Sequence, residues 1–336
     1  MANPICTQQK HSTPIASRCW ARWTSPRRNI QASLHVLIPG AALPEDGRRL
    51  LPPLPKLQAL LARMVRESVI EADDDGPAEP FEMALARAYG LPGEPGRTPW
   101  AAYETQTFGA ACAWFTPVHL EARMNDVRLC PPADLPVPQD QSRALLEACA
   151  PLLAEDGVTL RYVRPDAWLA LGDVLEDLTC WSPRRAADRS LMPAQLLRTG
   201  DPARQRKLSR LTSELQMLLH AHPLNHARER DGLAAINALW IHGAGRLAQA
   251  ITPAPGVLVA DTLPSAHQGW AEAWQALDDG PLTQLWTHLQ SGGFARLTLC
   301  GPRRARNWAA VPGVSWRAAA RRLFGAAPIA AALEGL

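Results

Sequence analysis

Short apolar runs alternate with segments whose leucines recur at helical spacing, and this rhythm constrains the chain most. Strand-like segments fall at 34–38, 112–118, 126–130, 158–163, 238–241, 257–260 and 296–300. Each is too short for a buried helix and is bounded by Gly, Pro or charged residues. Between them, Leu57, Leu60, Leu61 and Met64 predict a helix over 55–70, and a second helix runs from Pro80 to Gly90. Further helices are expected at 141–153 and 203–222, the latter carrying Leu208, Leu211, Leu215, Leu218 and Leu219 as one apolar stripe. Trp270, Ala273, Trp274 and Leu277 mark another, as do Leu282, Leu285, Trp286 and Leu289. Helices interleaved with short apolar strands predict an α/β fold with a mainly parallel sheet, and a second, inserted α+β part.

No apolar stretch approaches the roughly 18 residues that span a bilayer, which excludes an integral helical membrane protein. The first 30 residues have no signal-peptide core, so a cytoplasmic chain is expected. The seven cysteines (6, 19, 112, 130, 149, 180 and 300) are an odd number and form no Cys-x-x-Cys pair. That pattern fits reduced thiols rather than a disulfide scaffold or a cysteine-only zinc site.

The net charge is +3 over 336 residues, unevenly spread. Residues 1–30 carry five cations and no acid, and read as a disordered basic extension. Residues 296–336 are also basic, which leaves the middle acidic. Arg outnumbers Lys 32 to 3, so scattered arginine on solvated helices accounts for the basic ends better than nucleic acid does, and no nucleic-acid motif is present. Residues 31–110 and 250–325 are assigned to the α/β core. Residues 111–249 are assigned to the inserted part.

The informative segment runs from Leu218 to Gly245. A helix is expected to end at Pro223 and another to begin at Asn225 as N-cap, with Arg228 in its first turn and Gly232 closing it in a left-handed conformation. Asn237 then opens a strand leading to the turn Gly243-Ala-Gly245. Arg offers a planar fork of donors to phosphate or carboxylate, Asn adds neutral hydrogen bonds, and glycine lets backbone N–H groups approach an anion. Asn225, Arg228, Asn237, His222, His242, Gly243, Gly245 and His119 are therefore the candidate ligand-binding residues. His119 enters through Thr116-Pro-Val-His119, read either as a pocket wall or as a polar strand end.

The pattern His-Pro-x-Asn-x-x-Arg-x-x-x-Gly-Leu-x-x-x-Asn with a following Gly-x-Gly resembles a segment of archaeal-type cofactor-independent phosphoglycerate mutases, members of the alkaline-phosphatase-like superfamily. From about residue 34 to 310 the chain is similar to the RpfE-type regulatory proteins of bacteria. The matching landmarks include Leu34-His-Val-Leu-Ile-Pro39, Ala113-Trp-Phe-Thr-Pro-Val-His119 and Leu297-Thr-Leu-Cys-Gly301. The resemblance implies a reduced mutase-like fold binding a phosphorylated small molecule or another anion. A protein partner is also open.

Mutase chemistry would need two metal ions and a nucleophilic Ser. Here the first strand enters Pro39-Gly40 and the last enters Gly301-Pro302-Arg303, where the active relatives place metal-binding residues. Asp261 and His267 follow a strand as ligands might, but two ligands do not make a two-metal site. The expectation is a noncatalytic regulatory protein without metal or cofactor. The alternative is an active metal-dependent mutase or phosphatase with rearranged ligands. His220, His222 and His226 do not share a helix face and are read as helix-end residues rather than zinc ligands. Gly-x-Gly without a third glycine and a downstream acid gives no dinucleotide site.

Overall fold

The computed structural model describes residues 33–44, 50–130, 135–187, 189–252, 256–264, 269–310 and 329–336. The expected extension at 1–30 and His267 lie outside them. Among the described residues, no helix is long and apolar enough to cross a membrane.

The architecture is mixed α/β, built on two main sheets. The first has the strand order β12-β1-β13-β14-β2. Its members are β1 (Ser33–Ile38), β2 (Val65–Glu71), β12 (Val257–Val259), β13 (Phe294–Cys300) and β14 (Arg304–Ala310). Strand β1 runs parallel to β12 and β13, whereas β14 is antiparallel to β13 and β2. Side chains alternate between faces with period two. Val36, Ile38, Leu297 and Leu299 pack under the helices α1 (Pro55–Arg63), α8 (Trp270–Asp279), α9 (Pro281–Gln290) and α10 (Ile329–Leu333). Leu37, Ile70 and Cys300 face Phe81 and Ala84 of α2 (Pro80–Tyr89).

The second sheet is antiparallel, in the order β11-β3-β7-β6. It comprises β3 (Ala111–Val118), β6 (Thr159–Arg164), β7 (Ala167–Leu171) and β11 (Ala238–Arg246). One face carries Phe115 and Trp168 against the leucines of α4 (Gln139–Glu155) and α6 (Pro202–His220). The other carries Cys112, Trp114 and Leu169 against α3 (Trp100–Thr105) and the end of α2. Small strands β4 (Leu120–Ala122), β5 (Val127–Leu129) and β9 (Ser190–Leu191) form a third sheet, and β8 (Thr179–Cys180) pairs with β10 (Leu197–Arg198).

Three local expectations differ from the structure. The helix expected over 55–70 stops at Arg63, because the apolar stripe ends at Met64 and Val65, Val69 and Ile70 favour the extended edge strand β2. The turn expected at 243–245 is a bulge inside β11, which continues to Arg246. Strand β14 opens with Arg304-Ala-Arg-Asn307, where charge hides the strand signal.

A short helix, α5 (Pro183–Ala186), joins the two sheets. The Ser182 side chain caps it by accepting from the Arg185 N–H. Ala186 and the preceding Trp181 pack with Val118, Leu129 and Trp240 on the second-sheet side. Its cationic side points the other way. Arg185 is only 2% exposed. It donates from Nε to the Gly76 carbonyl (3.2 Å), from Nη1 to Pro302 (2.9 Å) and from Nη2 to Asp73 (2.7 Å) and Asp74 (3.3 Å). These acceptors are loop carbonyls flanking the first sheet. Burial lowers the Arg185 pKa from its ordinary value. Arg185→Met would leave several carbonyls without a donor, and should cost about 2–4 kcal/mol in urea unfolding. Arg185→Lys, with a single ammonium in place of the fork, should recover only part of that loss.

Candidate functional site

A cleft of about 890 Å³ lies between the two sheets. Its second-sheet wall follows from strand register. Arg161 pairs with Leu169, Leu169 with Trp114, and Trp114 with His242, so these four form one cross-strand row on one face. Along β6, Leu160 and Tyr162 turn toward α4, while Arg161 and Val163 line the cleft. Trp114 Nε1 donates to Glu104 Oε2 at 2.9 Å, and the Arg164 guanidinium lies 5.3 Å from the Trp114 ring centroid. Arg164 also sits 2.9 Å from Asp166.

The bulge in β11 sets His242. Gly243 adopts φ 60°, and a Cβ there would stand 3.0 Å from the Trp100 Cβ and 3.2 Å from the Ala101 nitrogen. A Cβ on Gly245 would meet Pro99 at 2.9 Å. Both glycines are needed for the close approach of α3. His242 Nε2 lies 3.0 Å from Thr116 Oγ1. Burial, reinforced by Arg164, pushes the imidazole pKa down to about 3, so it is neutral at physiological pH.

The opposite wall is α2 and the end of β12. Glu79 and Glu82 form a capping box at the start of α2. Glu82 Oε2 accepts from the Glu79 N–H at 2.8 Å, and burial raises the Glu82 pKa to about 7. Arg184, from α5, reaches across. Its Nε lies 2.9 Å from Glu79 Oε2, and Nη1 donates to Asp261 Oδ2 at 2.8 Å.

The sequence-predicted residues separate into two groups. His242 and Gly243 line this cleft, and Gly245 lines a smaller one of about 180 Å³ beside it. The others bind mainly backbone. Asn225 is 1% exposed; its Nδ2 donates to the carbonyls of Leu219 (2.7 Å) and Ile236 (2.8 Å), and its Oδ1 accepts from the Ile236 N–H (2.8 Å). Arg228, also 1% exposed, donates to the Ala234 and Pro136 carbonyls and to Gln141 Oε1. Asn237 exchanges two hydrogen bonds with the Leu120 backbone, completing a strand pairing with its side chain. His119 Nδ1 lies 2.7 Å from the Ala235 carbonyl. The N-cap of α7 (Pro223–Arg230) is His222, whose Nδ1 accepts from Leu224 N–H, not Asn225 as expected. Pro223 starts that helix, as its fixed φ allows. Gly232 does take the left-handed conformation, at φ 72°.

Arg87, Arg161, Glu82 and Arg184, which also line the cleft, carry no motif. Beyond the Glu79/Glu82 capping-box spacing, nothing in their local sequence points to a shared site. At the carboxyl ends of the parallel strands, the donors do not suit a metal ion. Pro39-Gly40 and Gly301-Pro302 offer no side-chain ligand, and Asp261 already accepts from a guanidinium. Among the described residues, no three His, Cys, Asp or Glu side chains gather as a metal site.

No family model and no curated protein matches the sequence. Among solved structures, the chain is similar to a cofactor-independent phosphoglycerate mutase from Thermoplasma acidophilum DSM 1728, at 15% identity and a TM-score of 0.38, over 85% of this chain and 91% of that one. It is also similar to the PH0037 protein from Pyrococcus horikoshii, at 13% identity and a TM-score of 0.45, over 84% and 88%.

The histidines generate a pH prediction. Burial lowers His242 to about 3 and His35, which lies 2.7 Å from Thr298 Oγ1, to about 4. A depressed histidine contributes stability that is present above its unfolded pKa of about 6.5 and is lost as pH falls through the folded value. The melting temperature should therefore fall between pH 6.5 and 3. His242→Gln, which keeps a donor near Thr116 but cannot titrate, should flatten that fall; an unchanged slope would contradict the assignment.

Proposed function

We propose that the chain is a noncatalytic, RpfE-type regulatory protein that binds a small phosphorylated or carboxylated anion in the cleft between its sheets. The observation that carries this is unspent positive charge. Arg164 and Arg184 line the cleft with acids as partners. Arg87 and Arg161 line it with no carboxylate partner among the described residues. Two unpaired guanidiniums on facing walls suit an anionic group, which each can grip with two parallel donors. Neutral His242 adds a hydrogen bond without adding charge. The binding site thus shifts from the Asn225/Arg228/Asn237 motif to the cleft, with that motif supporting the wall from behind.

Two observations support binding without turnover. The strand ends carry Pro39-Gly40 and Gly301-Pro302, which offer no side-chain ligand or nucleophile, and Asp261 already accepts from Arg184. Cys112, Cys149, Cys180 and Cys300 are buried thiols outside any disulfide, which supports a reducing, cytoplasmic setting. The proposed division is an α/β core at 31–110 and 250–325 and an insert at 111–249. A protein partner is proposed as the reader of the bound state.

Titration calorimetry with 3-phosphoglycerate and with inorganic phosphate tests the reading. Arg161→Ala should weaken binding roughly 10-fold or more, as expected for loss of a charge-assisted contact of about 1.5–3 kcal/mol. Equal binding by Arg161→Ala and parent, or conversion of 3-phosphoglycerate by the parent, would overturn it. Asn225→Ala should instead lower stability by about 2–4 kcal/mol and leave the affinity of the folded fraction unchanged.

A further inference from the structure

We propose that Arg184 is a releasable latch on the cleft, working against Arg185 as a fixed pivot. The two residues are adjacent on α5 but hold the first-sheet side by different physics. Arg185 is buried, and its acceptors are loop carbonyls at Asp73, Asp74, Gly76 and Pro302. Salt does not screen such contacts, and removing a buried donor leaves its acceptors unpaired. The Arg184 side chain is 41% exposed, with Glu79 and Asp261 themselves partly open to solvent. Ion pairs of this kind are weak and salt-sensitive.

The geometry ties these pairs to cleft opening. Glu79 starts α2 and Asp261 follows β12, both on the first-sheet wall. Arg184 comes from the bracket whose apolar side is anchored in the second-sheet wall through Trp181 and Ala186. The guanidinium also lies 5.2 Å from the Phe81 ring, a contact that weakens once the pairs break. Breaking both pairs releases the walls at Arg184, while the Arg185 contacts keep α5 seated. The device needs no ligand, so it stands or falls apart from the anion-binding reading.

Cys180 provides a native reporter. It lines the cleft two residues before Ser182, yet is only 2% exposed, and its N–H donates to the Gly96 carbonyl. Cys149, on the buried face of α4 in the second-sheet core, reports global unfolding instead. The full chain is treated with N-ethylmaleimide at about 0.05 M and about 0.5 M NaCl, and each cysteine is followed by peptide mass spectrometry. Arg184→Met should speed Cys180 modification roughly 5- to 30-fold over parent at low salt, as loss of two exposed pairs predicts. High salt should speed the parent in the same direction and add little to Arg184→Met. Arg184→Lys, which cannot hold both acids as a fork does, should fall between. The latch is overturned if Arg184→Met leaves the Cys180 rate unchanged. It is equally overturned if Cys149 accelerates in parallel, because the pairs would then hold the fold rather than the cleft.

Discussion

The two sheets of this protein are joined by a helix of four residues, and Arg185 is the side chain that makes the joint. A guanidinium removed from water is costly unless its donors find acceptors. Here four loop carbonyls supply them, and none is a carboxylate. The arrangement specifies the loop at 73–76 and the turn at 302 at once, because one planar fork must meet all its partners. The cleft exists because this bracket spaces the sheets while α3 and the end of α2 fill only part of the gap between them. Trp240 Nε1, donating to the Trp181 carbonyl at 2.8 Å, fixes the other end of the bracket.

Charge is sorted around that joint. Arg184 and Arg164 are committed to acids, Arg185 and Arg228 to carbonyls, and Arg87 and Arg161 remain for something else. In a chain with 32 arginines and a net charge of only +3, composition cannot distinguish these groups. Partners can. Arg228 illustrates the difference: the sequence motif and the structure agree that it matters, but the structure uses it to tie α7, the loop before α4 and the strand β11 region together.

Much of the core was legible before the structure. The stripe at Leu208, Leu211, Leu215 and Leu219 is buried as one face, and Trp270 and Trp274 pack edge to face at 6.0 Å. What escaped reading was set by tertiary contact. Helix α1 has no cap in its own sequence; Asp278 of α8 accepts from the N–H groups of Lys56 and Leu57 instead. Strand β14 opens on two arginines that mask its strand signal, and β2 continues where a helix was expected. The candidate site was half legible. His242 and Gly243 stood in the motif, whereas Arg87, Arg161 and Arg184 reach the cleft only through the placing of α2, the pairing register of β6 and the α5 bracket. Local spacing carries no information about such convergence.

Hydrogen exchange with and without 3-phosphoglycerate, on the full chain, tests the central claim that the cleft and not the Asn/Arg motif receives the anion. Protection appearing in peptides covering Arg161 and Arg87, with residues 222–237 unchanged, is the predicted result. Protection confined to 222–237, with the cleft walls exchanging as before, would contradict it.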